Sequence, residues 1–449
     1  MLTPTPSSAT PGIIYWFRTD LRLHDQPALT RAIEQAQQLG AWLLPVYIHD
    51  PGLHAQTPWG FQRTSTHRHA WLRMALNDLS ARLKSQGSTL MEFKGEPIHT
   101  LAELVAVMGN PSIYCEDICA PEEQAQIDAL HALGLQVETV WQSTLMAPED
   151  LPFKPEDVPD RFTTFRQALE KSQVRAAEPT PTLTTFPPLP AALRLLACQG
   201  LLSDTGQSMD VDGARPDPRA AFPWDQAGFH GGETAALAHL EQYCRRGLPH
   251  TYKTTRNGLT GADFSSKWSP WLATGALSAR TAWAAIADFE KAHGANESTY
   301  WLGFELLWRD HFRWIHRKHG RQLYSGKGLS QQLTPTHNPD HFKQWCMART
   351  GHAFIDAGMQ ELALTGYVSN RMRQNVASYL VHDLGCDWRA GAAWFESQLI
   401  DYDVYSNQGN WLFISGRGTD PRPHRRFNPE LQASTYDPQG NYRRLWAQD

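Results

Sequence analysis

Cysteine is sparse and unpatterned. The six residues (115, 119, 198, 244, 346 and 386) include no CxxC pair and no dense framework, which excludes a disulfide-stapled scaffold and favours the reduced, buried thiols of a cytoplasmic protein. No apolar run approaches the roughly 18 residues that a membrane-spanning helix needs, so no membrane partner is expected. The opening MLTPTPSSATPG has neither a basic n-region nor an apolar core, and residues 1–12 are expected to form a flexible tail rather than a secretory leader. A net charge of −5 excludes a bulk polycation, so any nucleic-acid contact must come from a local basic patch. The glycine signatures of phosphate binding are missing as well. The turn after the first apolar run, RTDLRLHD (18–25), has no GxGxxG, and GRQLYSGKG (320–328) has one residue too many between its glycines and no Ser or Thr after Lys327. Neither a pyrophosphate turn nor a P-loop fits. What is abundant is tryptophan: seventeen in 449 residues, more than packing alone calls for.

A chain of 449 residues exceeds one compact core, and its texture changes twice. Apolar runs at 13–17, 41–48, 89–93, 112–115 and 136–140 alternate with helical spacing over 26–39, 66–86, 98–108 and 122–133. This pattern predicts an α/β domain over 13–145, with a doubly wound, parallel five-stranded sheet. Residues 146–225 are expected to be a long interdomain linker. Eight prolines lie between Pro179 and Pro223, which predicts a surface-crossing tether from 176 with one short helix at 191–198. From 226 to 449 strand signals vanish. Helical spacing at 233–246, 270–293, 299–319, 352–364, 369–384 and 388–400 predicts an all-α domain.

Three constellations in that domain carry chemistry. Glu305, Trp308, Arg309 and Phe312 fall at i, i+3, i+4 and i+7 and so share one helix face; an intrahelical Glu305–Arg309 ion pair beside a core aromatic is the plain alternative. His311, His316 and His319 on the same helix lack acidic or cysteine companions at ligand spacing and are expected to be surface or capping residues rather than metal ligands. Asn370-Arg371-Met372-Arg373-Gln374-Asn375 suits phosphate or base-edge contact, or is a solvated helix end. Asp401 and Asp403 form a DxD pair that a metal-dependent transferase would use, but the Asn-x-Gly-Asn-Trp turn expected after them supplies amides instead of further carboxylates. Downstream, Arg417, Arg422, Arg425, Arg426, Arg443 and Arg444 face only Asp420, Glu430 and Asp437. Interleaved aromatics make this tail suited to single-stranded nucleic acid.

Taken together, the segments YWFRTDLRLHDQPAL (15–29), GLPHTYKTTRNGLTGADFSSKWSPWLATGALSAR (247–280), FELLWRDHFR (304–313), TGYVSNRMRQNVASYL (365–380) and DYDVYSNQGNW (401–411) are similar, in order and spacing, to the photolyase/cryptochrome family. Segments 143–170 and 418–446 resemble its cryptochrome DASH branch in particular. The resemblance implies a non-covalent FAD folded into a U within the helical domain, and an α/β domain of the antenna type. Ser265, Ser266, Lys267, Trp268 and Ser269, at a helix start, would hold the FAD phosphates with Tyr252. Arg309 and Arg373 would lie close to the flavin, Asp401 and Asp403 would bind its ribityl and ring edge, and Asn407 would face its N5. The implied reaction is light-driven splitting of cyclobutane pyrimidine dimers, preferably in single-stranded DNA, by electron transfer from reduced FAD. Glu305, Trp308 and Asn407 are then catalytic, and Asn370, Arg371, Arg417 and Arg425 bind DNA. A blue-light photoreceptor that signals without repair is the alternative, against which stands the short chain of three residues after Trp446. The segment EDICAPEEQ (116–124) loosely resembles a folate-binding stretch and implies 5,10-methenyltetrahydrofolate as antenna. A monomer is expected.

The sequence departs from the family at three places. Trp411 and Trp388 match the first two members of its tryptophan electron relay, but Pro335 stands where the third belongs. Proline cannot carry a hole, which leaves Tyr324 or Trp345 as substitutes. Gln408 and Met372 replace the branch's usual Trp and Gly, with an expected effect on the lesion pocket.

Overall fold

The computed structural model describes residues 11–191, 193, 214–333, 335–419 and 426–447. Strands β1 (Gly12–Phe17), β2 (Trp42–His49), β3 (Met91–Lys94), β4 (Ser112–Glu116) and β5 (Val137–Val140) form one sheet in the order β3-β2-β1-β4-β5, with every pairing parallel. Helices α1 (Pro27–Leu39), α2 (Thr66–Ser85), α3 (Pro97–Val107) and α4 (Pro121–Ala132) connect them. The period of two explains the double winding. Ile13, Tyr15 and Phe17 of β1 pack with Leu29 and Ile33 of α1 and Leu76 and Leu79 of α2, while Ile14 and Trp16 pack with Leu101 of α3 and Leu130 of α4. A strand buried on both faces reads as an unbroken apolar run, and IIYWF is one.

The order of the strands reverses between β1 and β4, where an open α/β sheet usually takes its ligand. Here the turn after β1 docks on the helical domain instead. Leu21 N–H donates to Thr274 O (3.1 Å), Arg22 Nη1 to Gly275 O (3.0 Å) and Leu23 N–H to Glu233 (2.7 Å), while Arg280 pairs with the buried Asp25 (2.9 Å). The missing glycine fingerprint thus has a structural counterpart: the turn grips a protein domain rather than a pyrophosphate.

The stretch expected to be a linker carries real packing. Helix α5 (Phe162–Ser172) buries Phe162, Phe165 and Leu169 in the helical domain's core. The proline-rich part that follows lies along the α/β domain: Leu183 N–H donates to Leu23 O, Leu183 and Phe186 pack against one side of the sheet, and Leu189 packs against the other. Phe222 and Trp224 are fully buried. Proline removes ladder donors and keeps the chain extended, while the leucines and aromatics among its described residues find apolar partners, so the stretch expected to cross the surface as a linker is anchored by packing. Of the expected helix 191–198, all but Ala191 and Leu193 lie outside the described residues.

The second domain contains α6 (Glu233–Arg245), α7 (Tyr252–Thr255), α8 (Ser269–Thr274), α9 (Ala279–His293), α10 (Glu297–His319), α11 (Pro339–Cys346), α12 (Ala353–Thr365), α13 (Asn370–Ser378), α14 (Trp388–Gln398), α15 (Val404–Ile414), α16 (Pro429–Tyr436) and α17 (Asn441–Leu445). Among the described residues no helix is long and apolar enough to cross a membrane. Two expectations change. The single helix expected over 270–293 is broken at Gly275, whose φ of 71° is left-handed. The turn expected after Asp403 is the helix α15. The Asp403 carboxylate caps it, accepting from Ser406 N–H at 2.8 Å. Gly409, which read as a turn residue, lies inside this helix, where a Cβ would come within 2.2 Å of the Phe312 ring.

Candidate active site

A cavity of about 430 Å³ opens between α10, α13, α15 and the loop that leads into α8. Each wall follows from local sequence. Asn296 and Thr299 close a capping box that starts α10, and from there the 3.6-residue period turns Glu305, Trp308, Arg309 and Phe312 together into the cavity. The spacing argument for this face therefore holds. Asn370 and Arg373 reach the cavity from α13, Asp401 and Asp403 from the lead into α15, and Tyr252 from α7. Residues Ser265 to Ser269 form the floor, with Lys267 held at a left-handed φ of 59°.

The electrostatics are those of a site built for an anion. Asp401 accepts from Arg373 Nη2 (2.8 Å) and Ser269 Oγ (2.7 Å). Burial opposes ionisation of Asp403, but Arg313, 2.7 Å away, and Arg309 outweigh it and hold the carboxyl at about 2. Burial and the neighbouring Arg313 bring Arg309 down to about 10. Glu305 pairs with Arg256 and Arg309 donates to Ser143 O, so the intrahelical Glu305–Arg309 pair does not form. Burial nevertheless raises the Glu305 carboxyl above its usual range. Phe162 stacks flat on Trp308, with ring centroids 3.8 Å apart.

Other expected residues lie elsewhere. Asn407 and Trp411 border a recess of about 90 Å³ that shares Arg373, Asp401, Asp403 and Asn410 with the main cavity. The Asn407 amide donates to Ala392 O at 3.0 Å. Trp388 is buried away from the cavity, its indole N–H on Gly326 O (3.2 Å). Arg371 donates to Gln374 and Asn257 and stacks over Tyr436. Arg417, expected on the nucleic-acid surface, is buried at 8% exposure because its segment folds back on α15 and Leu329, with its N–H on Leu412 O; it leaves the candidate surface. Arg425 lies outside the described residues. Gln408 donates to Leu323 O (2.6 Å) and Met372 packs beside Gly358. Both face away from the cavity, so neither reshapes it. His311 and His316 are corrected too: they are buried, 2.9 Å from Pro159 O and 2.7 Å from Phe312 O, and burial lowers both to about 4.

Sequence reasoning singled out neither Arg256, Phe264, Tyr367 nor Phe413, which also line the cavity, and it placed Gln374, Ser406 and Asn410 in polar stretches without giving them a site role. Gln374 follows Asn370 at i+4, and Ser406, Asn410 and Phe413 recur at helical spacing from Asp403. The periodic test that found the α10 face would have found both.

Lys267 Nζ, Trp268 Nε1 and Asp401 Oδ1 are buried on this cavity with no hydrogen-bond partner. Orphaned polar atoms are costly inside a protein. An anionic diphosphate and the donor–acceptor edge of a flavin are what one amine, one indole N–H and one carboxylate oxygen would satisfy, so the residues fit FAD. A sheet domain that keeps no phosphate-binding glycines, docked on a helical domain with such a cavity, defines a two-domain flavoprotein.

The comparisons agree. The description "FAD binding domain of DNA photolyase" matches residues 301–449 and "DNA photolyase" matches 13–187. The chain is 42% identical over 444 residues to cryptochrome DASH of Xenopus laevis, covering 97% of this chain and 82% of that one. It is 40% identical to cryptochrome DASH of Synechocystis sp., covering 97% and 87%. The crystal structure of a Synechocystis cryptochrome superposes with a TM-score of 0.87 over 97% of this chain and 89% of that one, at 40% identity. A class III photolyase from Agrobacterium tumefaciens gives 0.76 over 98% and 87%, at 27% identity. The chain belongs to the photolyase/cryptochrome family, in its cryptochrome DASH branch, and FAD is its cofactor.

The unpartnered amine of Lys267 is a titratable group on the cavity that FAD would occupy. Burial pushes its amine well below the usual lysine range, against the attraction of Glu361, while Arg373 adds to the depression and Asp401 and Asp263 oppose it. A phosphate placed beside it favours the charged form and raises the value. Between the free and the bound values of this amine, FAD binding is expected to take up a proton, and affinity falls as pH rises through that window. Calorimetric titration of apoprotein with FAD in two buffers of different ionisation heat checks this; Lys267→Met removes the uptake.

Proposed function

We propose that the chain repairs cyclobutane pyrimidine dimers, preferably in single-stranded DNA, acting in the cytoplasm as a monomer. The observation that carries this reading is that one open cavity holds both the FAD-directed groups and the pair Glu305 and Trp308. When bound and reduced, FAD supplies a light-excited electron and takes one back. The residues of the chain do the rest. Trp308, one face already covered by Phe162, offers its remaining surface to a flipped base. The Glu305 carboxyl, raised above its usual range by burial against the pull of Arg256, hydrogen-bonds a pyrimidine edge once Arg256 turns to the strand. Asn370 and Arg371 at the start of α13 meet the backbone beside the lesion. Flipping the lesion costs a few kcal/mol in a duplex and less in a single strand, which suits a protein of net charge −5. An antenna, 5,10-methenyltetrahydrofolate, would be held by residues of the 116–124 stretch, and its absorption band in purified protein is the check.

The test is illumination of chemically reduced protein with a dimer-bearing oligonucleotide. The expected result is restored pyrimidines on single strands and their loss in Glu305→Ala, with flavin content unchanged. Absence of restoration by the parent protein sinks the reading in favour of a photoreceptor.

A further inference from the structure

Lys267 lies on the cavity with no hydrogen-bond partner for its amine, so the charges behind it decide when it becomes an ammonium. Its amine sits 3.3 Å over the centre of the Phe264 ring and 5.0 Å from that of Tyr367. The charged groups facing it are Glu361 on α12, Arg373 on α13, Asp401 before α15 and Asp263 in the loop before α8. Two of the three carboxylates are already matched, Asp401 with Arg373 and Asp263 with Arg246. Glu361 is not. Its hydrogen-bond partners are the Tyr442 hydroxyl, which donates at 2.5 Å, and the main chain of Ala221.

Glu361 stands behind the cavity rather than on its wall, at 1% exposure. A carboxylate buried without a bonded cation is expensive, and burial pushes this one up to about 7. Holding Tyr442 does not require that expense, because an amide at 361 would accept the same hydrogen bond without a charge. What a carboxylate adds is attraction for Lys267 and Arg373. Arg373 already has Asp401 at 2.8 Å, so the surplus falls on Lys267. Tyr442 is itself fixed. It is buried on α17, with its N–H on Asp437 at 2.9 Å and its ring 6.2 Å from Phe354 of α12.

We propose that Glu361 is the counter-charge that lets Lys267 become an ammonium when the phosphates of FAD arrive, and that Tyr442 holds Glu361 in that role. Both are positioning residues, since neither lines the cavity and each acts through the next. Helix α17 thereby belongs to the cofactor site from outside the cavity. This rests on FAD as the occupant and is independent of DNA repair.

With Glu361 ionised, Lys267 gains its proton more readily and the phosphates meet a cation. Without that charge Lys267 stays neutral over more of the neutral range, and the anionic cofactor meets a desolvated amine. The phosphates feel Glu361 only from beyond Lys267, so their repulsion by it is the weaker effect. At acid pH the Glu361 carboxyl is protonated, and its influence disappears.

The experiment dilutes the flavin-loaded full chain into buffers across the neutral and acid range and follows the fluorescence of released FAD. Glu361→Gln, which keeps an acceptor for Tyr442, is expected to weaken flavin retention at neutral pH on the order of tenfold, within the range usual for coupling between sites. The deficit closes toward acid pH. Tyr442→Phe is expected to lose flavin in the same direction by less, and to add nothing once Glu361→Gln is present. In a Lys267→Met background, Glu361→Gln changes retention no further. Parental retention by Glu361→Gln, or a deficit equal at every pH, overturns the counter-charge. A Glu361→Gln deficit that persists beside Lys267→Met overturns it as well. Parental retention by Tyr442→Phe, or a loss that adds to that of Glu361→Gln, removes α17 from the cofactor site. A parent protein that purifies without flavin would instead refute the cofactor assignment.

Discussion

Asp401→Ala is expected to purify colourless and to melt well below the parent. The carboxylate is buried and accepts from Arg373 and Ser269, while its second oxygen faces the cavity without a partner. Its removal leaves the Arg373 guanidinium with Val368 O at 2.9 Å, the Tyr367 ring at 5.3 Å and the longer-range attraction of Glu361. Breaking one side of a buried pair costs about 3–5 kcal/mol, because the surviving charge loses its compensation. Two further losses add to this. The titratable groups left lining the cavity are Arg256, Arg309, Arg373 and Lys267 against Glu305 and Asp403, so the site's charge balance moves toward the cations. The stabilisation contributed by a bound cofactor, which grows with the logarithm of its concentration over Kd, disappears with the cofactor. Asp401→Asn separates the effects: an amide of the same shape can still accept from Arg373 and Ser269 but no longer balances the guanidinium's charge, so it is expected to melt between the parent and Asp401→Ala and to hold flavin weakly. Flavin absorbance per protein and thermal unfolding decide the matter. An Asp401→Ala protein with full flavin content and the parental melting point would show that Asp401 is a bystander.

Why this residue was only half legible explains the rest of the site. The parallel sheet was readable because a strand buried on both faces must be a continuous apolar run, as IIYWF is, and the α10 face because helical period alone brings 305, 308, 309 and 312 together. Asp401 and Asp403 stood out as a pair, but their arginine partners lie on α13 and α10, and no spacing rule joins residues so far apart in the chain. The same limit hid Arg256, which Glu305 chose over the nearby Arg309. Helix α15 was hidden by its amides and Gly409, since its stability comes from the Asp403 cap and the Phe312 ring against it rather than from propensity. His311 and His316 looked solvated because histidine usually is; only the packing of α5 and the segment before it against α10 buries His311.

Gly275→Val is expected to undo the docking of the two domains. Gly275 ends α8 with φ 71°, and a Cβ there would lie 2.0 Å from Thr19 O and 2.6 Å from Asp20 Cα. Both are backbone atoms in the turn after β1, so no side chain can swing aside. The left-handed conformation alone costs an L-residue roughly 1–2 kcal/mol, and overpacking adds about 1–3 kcal/mol when neighbours can relax. Here relaxation means separating Leu21 N–H from Thr274 O and Arg22 from Gly275 O. It also pulls Asp25 from Arg280 and Glu233 from His24 and Arg82, all at the same seam. Since a domain's net stability is only about 5–15 kcal/mol, the combined loss is expected to turn one unfolding transition into two, with early proteolysis at the seam. Flavin retention should fall too, because Ser269, which holds Asp401, begins the short helix that Gly275 ends. Gly40→Ala isolates the conformational term: Gly40 has φ 61°, and nothing lies within 4 Å of its added Cβ. If Gly275→Val costs no more than Gly40→Ala, the turn after β1 yields more easily than its hydrogen bonds suggest, and the docking of the sheet domain contributes little to holding the cavity's floor in place.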